Sequence, residues 1–229
     1  MKGKLYGIGT GPGDPELLTL KAIHTMEKCD VIALPNAGNN ERTAFQIVKK
    51  YVTGKPLLEC QFSMEKDEEK RKALREQSAD NICELLEQGK NVGFITLGDP
   101  TIYSTYMYIH KIVEERGYDT QIIPGIPSFI AAAAVLNTSL CVGSEPLHII
   151  PASDNGNIDE LLALQGNKVI MKSGKSLNNV LEVLKQQGLS QKTKIVERCT
   201  MDGERIFNNI DELETAGDAG YFTIAVVKE

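Results

Sequence analysis

The sequence predicts an α/β protein of two domains, the first built on a mainly parallel sheet and the second on a mixed one. Three observations carry that expectation. Across the first half, short apolar segments alternate with amphipathic ones over short connections, as strands and helices do around a parallel sheet. Glycine-rich loops, two of them containing Gly-Asp-Pro, stand where strands hand over to helices. After Pro124-Gly125-Ile126-Pro127 the rhythm changes, and the last apolar segments follow one another with no helix of normal length between them. That change suggests antiparallel pairing. The 229 residues hold two such domains of roughly 100 residues each. The expected division is 1–125 and 126–229.

In chain order, residues 5–8 read as a strand, followed by a glycine loop and a helix over 15–28. A second strand spans 30–34, a helix 41–51 and a short strand 56–60. Residues 65–88 form a long charged helix. Its Asp67/Arg71 and Glu68/Lys72 pairs stand four apart with the acid first, which favours an exposed, solvated face. A strand over 91–97, a helix over 102–116 and a strand over 120–123 complete the first half. In the second half, 128–136 is a helix with four alanines. Strands are expected at 147–150, 168–171, 193–197, 205–208 and 221–227, and helices at 158–164 and 176–187. There is no internal repeat and no low-complexity segment.

Composition narrows the function. Apolar residues are 41% and charged residues 24%, ordinary for a globular protein and unlike a disordered chain, a collagen or a coiled coil. The longest apolar stretch, around Ile130 to Leu136, falls far short of the roughly 20 residues of a membrane span, and the opening residues lack the apolar core of a secretion signal. A cytoplasmic protein without a membrane partner is expected. The net charge of −6 argues against a nucleic-acid partner, because phosphate neutralisation calls for a basic excess. Five cysteines stand far apart with no CxxC, so a zinc knuckle or redox dithiol is not expected.

The loop Gly7-Ile8-Gly9-Thr10-Gly11-Pro12-Gly13-Asp14-Pro15-Glu16 is the strongest local signal. Asp14 is placed to cap the helix, and Pro15 suits its first position. A dinucleotide fingerprint fails here. Counted from Gly7 the third glycine falls on Pro12, and counted from Gly9 it falls on Asp14. Pro12 removes an amide donor and Asp14 puts a negative charge where pyrophosphate would sit. A tight turn with a helix cap is one reading; a ligand-facing loop without phosphate recognition is the better one. Gly98-Asp99-Pro100 repeats the pattern after another strand, and Pro124-Gly125-Ile126-Pro127-Ser128 ends a third. Three loops at the carboxyl ends of parallel strands describe a ligand crevice.

The string from Gly9 to Ala22, GTGPGDPELLTLKA, resembles the opening signature of the tetrapyrrole methylases, which use S-adenosylmethionine. Gly98-Asp99-Pro100 with Tyr103 resembles their second motif. Pro124-Gly125-Ile126-Pro127-Ser128-Phe129 with the alanines 131–134 resembles their third. The resemblance spans essentially the whole chain. Within the family, residues 103–108 (YSTYMY) and 146–152 (PLHIIPA) are similar to the branch that methylates C20 of precorrin-2 or of its cobalt complex, cobalt-factor II.

The resemblance implies two α/β domains with an active-site cleft between them, usually a homodimer, with S-adenosylmethionine as methyl donor and S-adenosylhomocysteine as product. It implies cofactor contacts at Gly98, Asp99, Ile102, Tyr103, Ser128, Phe129, Met171, Cys199, Ile224 and Ala225, and tetrapyrrole contacts at Gly11, Pro12, Gly13 and Asp14. Met171 and Ile224 read equally as core, and Cys199 as a small buried residue. Tyr221 opens the last strand and is the candidate to orient substrate or relay a proton, although an interfacial tyrosine is an equal reading. Of the three histidines, His24 reads as partly exposed on the first helix and His110 as structural, and His148 is the best placed, although core packing is the stronger reading for it. No ligand cluster for a protein-bound metal is visible, so any cobalt would belong to the substrate. Other readings remain: methylation at another corrin position, an RNA or protein methylase of the same family, or a nucleotide-binding module.

Overall fold

The computed structural model describes residues 1–36, 42–63, 67–152, 157–217, 220 and 222–229. The chain divides into two compact units, Met1–Pro127 and Ser128–Glu229.

In the first unit, β1 (Leu5–Gly9), β2 (Val31–Asn36), β3 (Leu57–Gln61), β4 (Val92–Thr96) and β5 (Thr120–Ile123) form one sheet in the order β3-β2-β4-β1-β5, every pair parallel. The helices are α1 (Leu20–Lys28), α2 (Arg42–Val48), α3 (Glu68–Glu87) and α4 (Tyr106–Glu115). Strand alternation divides the core between two faces. Leu5, Val31, Ala33, Val92 and Phe94 pack with Ile82, Leu86, Tyr106 and Ile109 of α3 and α4. Ile8, Ile32, Leu34, Ile95 and Ile123 pack with Ala22, Met26, Ile47 and Val48 of α1 and α2. Burial on both faces of the sheet explains why these segments read as continuous apolar runs.

In the second unit, α5 (Ser128–Val135) precedes β6 (Leu147–Pro151), α6 (Ile158–Leu162), β7 (Asn167–Met171), α7 (Leu177–Gln186), β8 (Thr193–Glu197), β9 (Arg205–Phe207), α8 (Ile210–Ala216) and β10 (Thr223–Val227). The sheet order is β6-β7-β10-β8-β9. β6 and β7 are parallel, β10 is antiparallel to both its neighbours, and β8 and β9 are antiparallel, so the sheet is mixed. Ile150, Ile170, Ile195, Ala225 and Val227 pack against Leu181 and Leu184 of α7 and Leu213 of α8.

Four elements differ from expectation. The helix expected over 15–28 is a 3-10 turn at Pro15–Leu17 followed by α1, which restarts where the Thr19 hydroxyl accepts from the Ala22 amide at 3.1 Å. The helix expected from 102 begins at Tyr106, because residues 98–105 are spent on turns. α3 begins at Glu68. Asp67 caps it, its side chain accepting from the Lys70 amide, while Arg71 pairs with Glu68 instead. α8, absent from the expectation, is a seven-residue helix capped by Asn209, whose side chain accepts from the Glu212 amide at 2.9 Å.

Candidate active site

In the first unit the carboxyl ends of β1 and β4 lie side by side, and the chain leaves them in opposite directions. β1 leads across β4 to β2, and β4 leads past β1 to β5. Such a reversal opens a crevice beyond the strand ends, where open α/β sheets take their ligands. The three loops expected there, residues 10–14, 97–105 and 124–127, are held together largely by backbone. Gly11 and Gly98 form an isolated antiparallel bridge. The Gly98 amide donates to the Gly11 carbonyl at 2.8 Å, and the Gly11 amide donates to the Gly98 carbonyl at 3.2 Å. The amide and hydroxyl of Thr10 both donate to the Thr96 carbonyl, at 2.9 and 3.1 Å. Gly11 and Gly98 each hold φ at +73°, a left-handed turn that an L side chain resists.

Asp99 ties the third loop in. It is buried, its Oδ2 accepts from the Gly125 amide at 2.9 Å, and its Oδ1 accepts from the amide and hydroxyl of Thr101 at 2.8 and 2.5 Å. With both oxygens committed, Asp99 acts as a brace for the loops. Ile102 is half-buried and its amide donates to the Asp99 carbonyl at 3.3 Å. Tyr103 is exposed, with φ at +48°. Pro12 is buried and Gly13 half-buried. Asp14 fulfils the expected cap, accepting from the Glu16 amide at 2.8 Å. The first unit thus brings together eight of the anticipated site residues on one linked set of loops. Residues 9–14 and 97–103 contain no lysine or arginine but two aspartates. That charge pattern disfavours a pyrophosphate.

The second unit presents another set of residues. β7 and β8 flank β10, so Met171, Glu197 and Thr223 lie at one edge of the sheet. Met171 and Ile224 are buried on the face opposite Ile170 and Ala225, and the Ala225 side chain belongs to the core under α7 and α8. Ile224 and Ala225 therefore cannot both present side chains to one ligand; Ala225 would meet it through its backbone. Ser128 and Phe129 begin α5, which packs on β10. Cys199 follows β8 and is buried, which pushes its thiol up to about 12 and keeps it protonated near neutral pH, unlike a thiolate nucleophile. Tyr221 lies outside the described residues. Its neighbour Gly220 donates its amide to the buried carboxylate of Glu197, which also accepts from Arg205 Nε at 2.5 Å.

Two of the three histidines make contacts of a structural kind. His110 Nδ1 lies 3.0 Å from the Tyr106 hydroxyl. His148 Nε2 lies 2.9 Å from the Gln165 carbonyl oxygen, and the residue sits toward the start of β6, at the end of the sheet away from Met171. Among the described residues no group of three or more His, Cys, Asp or Glu is placed to hold a metal ion, and no helix is long and apolar enough to cross a membrane.

Several features of these loops escape sequence reasoning. Gly9 and Gly125 are visible as glycines, but their contact is not. A Cβ on Gly9 would lie 2.5 Å from the Gly125 amide nitrogen, and one on Gly125 would lie 2.2 Å from the Gly98 carbonyl oxygen. Five non-glycine residues of the described chain have positive φ. Asn137 follows α5, an ordinary helix ending, and the other four are Tyr103, Lys172, Arg198 and Thr200, all in loops after strand ends. Backbone strain of this kind gathers at functional sites. Nothing in the side chains of Lys, Arg or Thr announces a left-handed conformation.

Residues 4–214 match the family model of the Tetrapyrrole (Corrin/Porphyrin) Methylases. The chain is 38% identical to a probable cobalt-precorrin-2 C(20)-methyltransferase of Methanocaldococcus jannaschii, over 98% of this chain and 96% of that protein. It is 28% identical to a precorrin-2 C(20)-methyltransferase of Sinorhizobium sp, over 98% of this chain and 95% of that one. Its fold is similar to that of the uroporphyrin-III C-methyl transferase of Thermus thermophilus complexed with S-adenyl homocysteine, with a TM-score of 0.72 at 17% identity, covering 99% of this chain and 98% of that chain.

Proposed function

Because this chain belongs to the tetrapyrrole methylase family, we propose that it is an S-adenosylmethionine-dependent C-methyltransferase acting at C20 of precorrin-2 or of cobalt-factor II in cobalamin biosynthesis. The observation that carries this reading is the 38% identity, along nearly the full length of both chains, to a relative named for C20 methylation. Relatives named for the metal-free and for the cobalt-loaded substrate both align end to end, so the two substrates belong in one test.

The chemistry fits a site made of backbone and short side chains. When bound, S-adenosylmethionine supplies an electrophilic methyl on a sulfonium. The reduced tetrapyrrole offers an electron-rich meso carbon, so the carbon–carbon bond forms as the carbon–sulfur bond breaks, and the meso carbon then releases its proton. Such a displacement gains most from alignment. We assign cofactor contacts to Gly98, Asp99, Ile102, Tyr103, Ser128, Phe129, Met171, Cys199, Ile224 and Ala225. The tetrapyrrole falls to Gly11, Pro12, Gly13 and Asp14, and orientation of the substrate to Tyr221. The bridge between Gly11 and Gly98 supports treating the two loops of the first unit as one platform. The Asp99 carboxylate holds that platform rigid, which leaves the backbone of Asp99 for the cofactor contact. Domains 1–125 and 126–229, a homodimer and a cytoplasmic location complete the proposal.

A thermal-shift comparison tests the cofactor. S-adenosylhomocysteine should raise the melting temperature of chelator-treated protein while NAD and ATP leave it unchanged. Stabilisation by NAD or ATP alone, or a response to S-adenosylhomocysteine only after metal is restored, would contradict the assignment.

A further inference from the structure

Ile102 and Tyr103 lie between two anchors in the loop that follows β4. Ahead of them, the Asp99 carboxylate holds Thr101 through both its amide and its hydroxyl. Behind them stands Ser104, whose Oγ accepts from the Tyr106 amide at 3.2 Å and lies 3.0 Å from the hydroxyl oxygen of Thr96. Thr105 occupies the N-cap position of α4 but makes no capping bond with its side chain, so Ser104 serves the first turn of that helix from one residue further out.

Thr96 is the last residue of β4 and is buried. Its carbonyl takes the amide and hydroxyl of Thr10, which opens the first glycine loop. Its hydroxyl meets Ser104, near the end of the second. One residue thus touches both loops of the platform, one through its backbone and the other through its side chain. Burial also sets the direction of the hydroxyl bond. A buried hydroxyl hydrogen without an acceptor is costly, and Ser104 Oγ is the acceptor that the structure places beside Thr96. Half-buried Ser104 can turn its own hydrogen outward, so Thr96 donates and Ser104 accepts. The need for this fastening is local. Tyr103, directly before Ser104, holds φ at +48°, a conformation that a residue with a Cβ resists and that persists where its surroundings impose it.

We propose that Thr96 and Ser104 are positioning residues for the cofactor: their paired hydroxyls hold Ile102 and Tyr103 in the turn that meets S-adenosylmethionine. The proposal rests on the reading of the preceding section, which gives Ile102 and Tyr103 to the cofactor. Neither hydroxyl acts on the reacting atoms. Without the pair, Tyr103 relaxes toward an ordinary backbone conformation and the competent turn becomes a smaller fraction of the population. The apparent Kd for the cofactor then rises in inverse proportion to that fraction.

Thr96→Val keeps the shape of its side chain and removes the hydroxyl; Ser104→Ala removes the other. In each folded variant S-adenosylhomocysteine should bind roughly three- to ten-fold more weakly by calorimetry, the range expected for one hydrogen bond. The KM for S-adenosylmethionine should rise by a similar factor, with a smaller change in kcat. Thr96→Ser and Ser104→Thr, which keep both hydroxyls, should hold most of the wild-type affinity. The double variant Thr96→Val/Ser104→Ala should bind no more weakly than the weaker single variant, because the two hydroxyls act as one unit. The near-isosteric Thr96→Val carries the comparison where Ser104→Ala destabilises the fold. Three results overturn the positioning role alone: wild-type affinity in the folded single variants, additive losses in the double variant, or losses that follow melting temperature across the set regardless of the hydroxyls. Wild-type protein that binds no S-adenosylhomocysteine overturns the preceding reading and the positioning role with it.

Discussion

A single added methyl at Gly125 has nowhere to go. Its Cβ would lie 2.2 Å from the Gly98 carbonyl oxygen and 2.8 Å from Gly9 Cα, and these neighbours are backbone. Gly125→Ala should therefore cost about 3 kcal/mol of stability in urea denaturation and weaken S-adenosylhomocysteine binding in the protein that remains folded. A variant as stable as wild type would show that the three loops separate easily. At this scale the sequence is informative about residue type and silent about partners. It marks the glycines of the strand-end loops as special, and it reads them as approaches to a ligand. The structure gives several of them a prior task, packing one loop on another. Gly11 illustrates the consequence. Its φ is +73°, and a Cβ there would lie 3.1 Å from the Leu17 carbonyl oxygen. Alanine at this position strains the loop itself, and the bridge passes the disturbance to Gly98. Substitution at Gly11 would disturb both proposed ligand contacts together.

At the scale of elements, the strands are legible because burial on both faces makes them continuous apolar runs. Helix ends are less so. The break between Pro15–Leu17 and α1 and the late start of α4 both come from loops that spend residues on turns, and neither leaves a strong periodic trace. α8 escapes the sequence although Asn209 followed by Glu212 is a capping pattern, because seven residues are too few to show a helical period. One element-level network has a measurable consequence. Glu229 accepts from the wholly buried Lys168 and from the Gly166 amide, and Glu145 accepts from Asn167, Lys228 and the Val142 amide. These partners, Lys168 and Asn167 foremost, hold the two carboxyls below the usual glutamate value. A depressed folded pKa contributes stability that is complete above about pH 4.3 and disappears as pH falls through the lowered values. Thermal melts between about pH 5 and pH 3 should show a loss in wild type, small because both carboxylates are solvent-exposed, and Glu145→Gln should flatten part of that slope. An unchanged slope would mean that other carboxylates carry the acid sensitivity.

For the whole molecule, the alternation of strands and helices, the mixed second sheet and the family are all accessible from the sequence, because each rests on patterns repeated over many residues. What stays hidden rests on single conformations: the left-handed residues after β7 and β8, the Gly11–Gly98 bridge and the commitment of Asp99 to Gly125 and Thr101. A C20-methyltransferase is defined by its product, so the position of the transferred methyl is the decisive measurement. Protein incubated with methyl-labelled S-adenosylmethionine and either precorrin-2 or cobalt-factor II should yield a tetrapyrrole carrying one new label, assigned by carbon NMR to C20, together with one equivalent of S-adenosylhomocysteine. A label at any other ring position, or none with both substrates under conditions where S-adenosylhomocysteine binds, would contradict it.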